Sequence, residues 1–170
     1  MKKIVILLIT ILLPINSFAA VEEGSRFIRN FNTWKIFIKE TNHRLHCTII
    51  ANPISTTGFP GFRSMPYVGF TSAQGNNFSF SIYSGFLMNK DKPIQVFVDD
   101  NLFYLKFYRD AFAHTYDMDD DIKLINAALI SHGILRVRAE STKSEIANDY
   151  YDLDGLENAL SFLKQNYNCN

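Results

Sequence analysis

The sequence has no surplus of charge of either sign, and this shortage excludes two classes of partner. Seventeen Lys and Arg residues balance seventeen Asp and Glu residues over 170 positions, so the formal net charge is zero. Such a balance lacks the basic footprint of a nucleic-acid-binding protein and the polybasic segment that recruits a protein to an anionic membrane surface. We therefore expect no nucleic-acid partner and, at most, a peripheral association with an outer membrane.

The sequence also lacks the motifs of common catalytic and cofactor sites. It contains no Gly-x-Ser-x-Gly elbow and no glycine-rich phosphate loop. The acidic run DMDDD at 117–121 starts like a calcium loop, but Ile122 and Ala128 replace the glycine and glutamate that the loop needs. In NHRLHC at 42–47 the two histidines lie three apart and would face opposite sides of a strand. We predict a non-catalytic protein with no cofactor and no metal site.

The sequence has no apolar run long enough to span a membrane as a helix. Its longest apolar run is at the N-terminus. Two lysines precede an apolar stretch at 4–13, and the small residues Ser17 and Ala19 follow it. This stretch is shorter than the roughly 20 residues that a membrane-spanning helix needs. The order of basic, apolar and small residues is typical of a secretory signal peptide. We predict a signal peptide at 1–19 that is cleaved after Ala19; an uncleaved anchor is the alternative.

Cysteine is scarce, with only Cys47 and Cys169 in the chain. The exported part, residues 20–170, has the length of one domain and would enter an oxidising compartment, where an even number of cysteines favours a disulfide. A bridge between them would close a loop of about 120 residues and contribute at most about 4–5 kcal/mol through chain entropy. Two free thiols, or pairing with another chain, are the alternatives.

Alternation of polar and apolar residues is the main pattern along the exported chain. TWKIFIKE at 33–40 and FSFSIYS at 78–84 alternate as half-buried strands do. The other predicted strands, separated by turn signals, are 44–51, 67–72, 94–98, 102–107, a short one within 109–116, and 134–141. The predicted loops are 21–32, 52–66 and 142–148. These strands predict a mainly β fold, an antiparallel β-sandwich or barrel-like single domain with one or two packed α-helices, the last at the C-terminus.

The first predicted helix lies within 117–133, where the hydrophobic period changes. Ile122, Ile125 and Leu129 fall on one face of a helix, and the aspartates at its start are placed where the helix dipole favours them.

The second predicted helix follows DYYDLDG at 149–155. Asp154 and Glu157 have the spacing of a capping box, and Asp149 and Asp152 would flank an edge strand. The cap is therefore the preferred role of this acidic segment, and a cation site is the alternative.

Several of these stretches follow one another in the order of a known family. The pattern starts with Trp34 in the first strand and Cys47 in the second, and continues through PYVGF at 66–70 and the helix ending in SHG. It closes with an Asp-x-Tyr-x-Leu-x-Gly motif, an Ala-Leu pair and a late cysteine. These closing residues are Asp149, Tyr151, Leu153, Gly155, Leu156, Ala159, Leu160 and Cys169. Over 31–169 the chain thus resembles the invasion-associated locus B family of exported bacterial proteins.

The resemblance implies a role at the bacterial envelope. Proteins of this family are tied to host-cell invasion or persistence, so we expect a periplasmic, outer-membrane-associated or extracellular location and a protein partner from the envelope or the host. The family offers no catalytic residue to carry over, and we expect the motif residues to be structural. The alternative function is that of a periplasmic protein that binds a small ligand or lipid or maintains the envelope.

The aromatic content indicates where a partner would bind. Fifteen Phe, eight Tyr and one Trp are more than a small core needs, and exposed aromatic patches mark contact surfaces. The candidates are Phe59 and Phe62 in the turn-rich segment 58–62, together with the solvent face of FYLKFY at 103–108. A core unusually rich in Phe is the alternative.

Overall fold

The computed structural model describes residues 24–73, 75–131 and 133–169, so the predicted signal peptide lies outside the described residues. Within these ranges the chain forms one antiparallel sheet of eleven strands and two helices, the second at the C-terminal end. The prediction of a mainly β fold with a last, C-terminal helix is therefore confirmed.

The strands share short lengths and connect mostly through tight turns. They are β1 (Arg26–Phe31), β2 (Trp34–Thr41), β3 (Arg44–Ala51), β4 (Ser55–Thr57), β5 (Tyr67–Ala73), β6 (Ser79–Tyr83), β7 (Ile94–Val98), β8 (Asn101–Arg109), β9 (Phe112–His114), β10 (Ile134–Glu140) and β11 (Ile146–Asp152). The helices are α1 (Met118–Ser131) and α2 (Leu156–Tyr167). The order across the sheet is β1-β2-β3-β5-β6-β9-β8-β7-β10-β11-β4.

The long strand β8 belongs to both halves of the sheet. Its first part pairs with β7 and its second part with β9, with an irregular register between Phe107 and Arg109. The first half contains β1, β2, β3, β5, β6 and β9; the second contains β7, β10, β11 and β4. In the described chain β1 and β4 are the two edges, so the sheet is open.

One hydrophobic core joins the inner faces of both halves with the two helices. Alternation places Trp34, Ile36 and Ile38 of β2 inward, and Val137 of β10 faces the same core from the other half. Helix α1 packs on β6, β7 and β8, whereas α2 packs on β1, β2 and β3. Each fully buried large side chain of this kind stabilises the fold by about 1.5–3 kcal/mol relative to its exposed state.

The disulfide ties the C-terminal tail to the first half of the sheet. Cys47 in β3 and Cys169 after α2 are bonded, with their Cα atoms 6.4 Å apart and a sequence separation of 122. The backbone amide of Gly75 also donates to the carbonyl oxygen of Asn168 at 3.1 Å. This pairing is the one that the sequence predicts, and it presses α2 against the strands beneath it.

Two predicted loops contain strands that the sequence pattern does not indicate, and a third contains the start of a strand. β1 lies in the predicted lead-in, β4 in the predicted loop 52–66, and β11 begins within the predicted loop 142–148. The reason is clear for β1, which is an edge strand without a regularly buried face. Alternation is visible only where one side of a strand is buried.

The buried face of helix α1 overlaps the predicted one: Ile125 and Leu129 are half-buried against the core, but the fully buried residues differ from those predicted. The buried residues are Asp121, Leu124 and Ala128, whereas Ile122 is 39% exposed. The cause is that the carboxylate of Asp121 accepts a hydrogen bond from the backbone amide of Phe80 at 2.7 Å. This polar anchor turns the helix so that an aspartate, which the hydrophobic pattern does not count, faces the sheet.

The predicted capping box at the start of α2 is wrong. Gly155 is the N-cap residue, in a left-handed conformation with φ 92°, and no side chain caps the helix. The carboxylate of Asp154 instead accepts a hydrogen bond from the amide of Asn32 at 2.7 Å. A Cβ on Gly155 would lie 2.6 Å from the carbonyl oxygen of Phe31. The β1–β2 turn therefore occupies the space that the capping side chain would need.

We predict that Gly155→Ala destabilises the protein by about 1–3 kcal/mol, because it adds left-handed strain to the contact with the Phe31 carbonyl oxygen. Urea unfolding of the disulfide-bonded protein measures this loss. The matched control is Gly75→Ala, which has φ +81° but open space around the added Cβ. Equal losses in the two variants would contradict the close-contact explanation.

A second, smaller cluster lies on the outer face of the first half. Phe37, Ile50 and Tyr67 are buried there, with Tyr83 and Phe112 packed against them. The rings of Tyr67 and Tyr83 are stacked, with centroids 5.3 Å apart. Burial, and secondarily the neighbouring Tyr83, raises the pKa of Tyr67 to about 12.

This pKa predicts alkaline destabilisation. The folded protein retains the Tyr67 proton that the unfolded chain releases near its ordinary pKa of about 10, so stability falls as pH rises from about 10 to about 12. A shift of this size corresponds to a loss of about 2–3 kcal/mol. Unfolding by urea at increasing pH measures it, and Tyr67→Phe should show a shallower decline. An unchanged slope in that variant would contradict the assignment.

Candidate interaction surface

The segment 58–66, which we call the crossing loop, connects the two halves of the sheet. It leaves β4 at one edge of the second half and enters β5 inside the first half. Its prolines and glycines prevent it from continuing either strand. The aromatic residues of this loop are the ones that the sequence marks as an interaction surface.

Arg63 fixes the crossing loop to both halves at once. Its Nη1 atom donates to the carbonyl oxygen of Ser84, after β6, at 3.0 Å, and to Oδ2 of Asp149, in β11, also at 3.0 Å. Its Nη2 atom donates to the other carboxylate oxygen of Asp149. The guanidinium carbon lies 5.7 Å from the centre of the Phe59 ring and 5.6 Å from that of Phe86. A two-pronged charged contact of this kind fixes direction as well as distance.

Asp149 is buried in β11, and β11 is not the edge strand that the sequence predicts. It is 3% exposed and lies on the inner side of β11, next to Tyr151. β11 is paired on both sides, with β10 and with β4, so alternation turns Asp149 inward. Burial raises the pKa of Asp149, while the hydrogen bond and the charge of Arg63 oppose the rise. Burial, together with the charge of Asp149, also raises the pKa of Tyr151 well above its usual value.

The two aromatic residues predicted for the surface have different environments. Phe59 is half-buried, and its ring stacks on Phe86 with centroids 4.8 Å apart and planes 7° apart. Phe62 is fully exposed, at 102% of its reference area. Phe59 therefore packs the loop down, and Phe62 is available to a partner.

The crossing loop and an adjoining segment carry two more exposed apolar side chains. The amide of Ser64 donates to the carbonyl oxygen of Gly85 at 3.1 Å, which brings 62–65 alongside 84–87. Met65 and Leu87, on these two segments, are 64% and 59% exposed. We call Phe62, Met65 and Leu87 the crossing-loop patch. A side chain on Gly85, which has φ 78°, would overlap the carbonyl oxygen of Ser64, so glycine permits this close approach.

The remaining predicted residues fall into structural and exposed groups. Trp34 is fully buried, and its indole nitrogen donates to the carbonyl oxygen of Asp152 at 3.0 Å. The motif residues Tyr151, Leu153, Gly155 and Ala159 are buried, and Leu160 is half-buried. On the solvent face of β8, Tyr104 and Tyr108 are 49% and 60% exposed. The motif thus packs the junction of β11 and α2, and the exposed aromatic residues lie elsewhere.

Arg63 is the residue of this surface that the sequence does not reveal. It stands alone in a turn-rich loop, and its partner Asp149 is 86 positions away. No spacing rule links a loop arginine to a strand carboxylate over that distance.

In 24–73, 75–131 and 133–169, no three His, Cys, Asp or Glu side chains are grouped as metal ligands would be. Over the same ranges, neither helix has the length and apolar character needed to cross a membrane.

The comparisons with known proteins support the fold. No family model matches the sequence, and no curated protein matches it. The crystal structure of invasion associated protein b from Bartonella henselae is similar to this chain, with a TM-score of 0.59 and 16% sequence identity. The match covers 83% of this chain and 96% of that one. The predicted resemblance to an invasion-associated locus B protein is therefore confirmed in the fold.

We predict that Arg63→Met lowers the free energy of unfolding by about 3–5 kcal/mol, because it leaves the Asp149 carboxyl buried without its cation. Urea unfolding of the variant measures the loss. The double variant Arg63→Met, Asp149→Asn removes the buried charge and should recover part of it. If the double variant is no more stable than Arg63→Met alone, the charge pair does not hold the loop.

Proposed function

We propose that this chain is an exported bacterial envelope or secreted protein of the invasion-associated locus B type. In this proposal it takes part in host-cell invasion or persistence by holding a protein partner, without catalysis. The fold likeness to invasion associated protein b supports the type, and the resemblance of the closing motif supports it independently. The predicted signal peptide at 1–19 and the Cys47–Cys169 bridge favour export.

The observation that carries the contact role is the position of Phe62. The apolar surface of a fully exposed phenylalanine is removed from water only when a partner covers it. Because Arg63 and the Phe59–Phe86 stack fix the loop on both sides of Phe62, little further ordering is needed on binding. Aromatic side chains in such fixed positions often dominate the energy of an interface.

We predict that Phe62→Ser weakens binding of the partner by about thirtyfold or more, the usual effect of truncating an interface residue worth about 2 kcal/mol. The measurement compares chemical cross-linking of the mature protein to envelope and host-cell membrane proteins, followed by titration of the captured partner. Ile130→Ser is the matched control, because Ile130 is 79% exposed but lies in α1. Phe59 is unsuitable for this test, because its replacement also removes the stack on Phe86.

Two results would contradict the proposal. If Phe62→Ser binds as the unaltered protein does, the crossing-loop patch is not the contact surface. If a membrane-impermeant amine label reaches the protein only after the outer membrane is opened, a direct host contact is wrong and the partner must be in the envelope.

A further inference from the structure

A groove separate from the crossing-loop patch lies on the outer side of β6 and β9, beside the start of α1. Its volume is about 450 Å³, which is within the size range of small-molecule sites. Hydroxyl groups of Ser79 and Ser81, from β6, line one wall. His114 of β9 and Tyr116 line another, and Asp121 of α1 also contributes.

The carboxylate of Asp121 is the feature that points to a ligand. Asp121 is only 5% exposed. Its Oδ1 atom accepts both the backbone amide of Phe80, at 2.7 Å, and the hydroxyl of Thr115. Within the described residues, Oδ2 accepts no hydrogen bond. It is nevertheless not fully enclosed by protein. Because Asp121 lines the groove and its Oδ1 atom is engaged, we assign Oδ2 as the atom that faces the groove.

The other groups of the groove are also mostly acceptors. The Nδ1 atom of His114 lies 2.6 Å from the carbonyl oxygen of Thr115, so Nδ1 donates; when the ring carries a single proton, Nε2 is an acceptor. The His114 ring is held against Tyr108 with centroids 5.5 Å apart. Hydroxyl oxygens can accept as well as donate, so they complete an acceptor-rich surface.

The charge of the groove selects the sign of the ligand. Two carboxylates, Asp117 and Asp121, line it, and no Lys or Arg is among its described lining residues. The nearest lysine in the sequence of α1, Lys123, forms an ion pair with Asp120, which does not line the groove. The exposed side chains of Tyr116 and Met118 supply apolar area at its border.

We propose that this groove binds a small molecule carrying a primary ammonium group, with Oδ2 of Asp121 as its ionic partner. An ammonium group has three donors and no acceptor, which matches a surface of carboxylate, imidazole and hydroxyl acceptors. The carbon skeleton of the ligand lies against Tyr116 and Met118. This proposal is independent of the crossing-loop patch and of the proposed partner protein.

The test is calorimetric titration of the disulfide-bonded protein with putrescine and with 1,4-butanediol, which has the same length but hydroxyls in place of ammonium groups. We expect putrescine to bind at least about tenfold more tightly, since charge-assisted hydrogen bonds are the stronger ones. Asp121→Asn keeps an oxygen for Phe80 and Thr115 but places an amide at the groove, and we expect it to weaken putrescine at least about tenfold.

The control variant is Asp119→Asn, which makes the same change of charge in the first turn of α1 outside the groove lining. Equal weakening by the two variants, or equal binding of the diol and the diamine, would overturn the proposal. So would calcium displacing putrescine, because the site would then be a metal site. If Asp121→Asn does not fold, the comparison of putrescine with 1,4-butanediol on the unaltered protein decides the test, because it needs no variant.

Discussion

A sheet that folds over one core without closing is joined by strand pairing on one side only, so other contacts must hold its two halves together elsewhere. Here β1 and β4 remain edges, and the fastening comes from side chains and from the tail. The indole of Trp34 bonds the end of β11, the turn after β1 meets Gly155, and Arg63 joins Ser84 to Asp149. Each contact joins segments that are far apart in the chain, and contacts of this kind slow folding.

These fastenings also decide which surfaces are free for function. Arg63 and Phe59 attach the crossing loop to the sheet, and Phe62 remains exposed. One carboxylate oxygen of Asp121 holds α1 to β6 through hydrogen bonds, and we assign the other to the groove. In both places a residue that stabilises the fold fixes the geometry of a neighbouring exposed group. Fixed geometry reduces the ordering cost of binding.

The sequence predicted those strands in which polar and apolar residues alternate because one side is buried. The bounds of β3 and β7 coincide with the predicted 44–51 and 94–98, because their inward residues are regularly buried. The edge strand β1 gave no such pattern, and the buried face of α1 was predicted only in part because its anchor is an aspartate. The cap at Asp154 failed since the β1–β2 turn, remote in sequence, fills that space. Of the candidate surface, the exposed Phe62 could be named from composition and turn signals, but Arg63 could not.

The bond between Cys47 and Cys169 encloses the crossing loop within its covalent ring of chain. A peptide bond cut by a protease beside the exposed Phe62 would therefore not release a fragment. The two pieces would stay one molecule of unchanged mass except for the added water, and only reduction would separate them. If the chain is exported as proposed, this exposed aromatic loop is thus also one that a protease can cut without loss of either part of the domain.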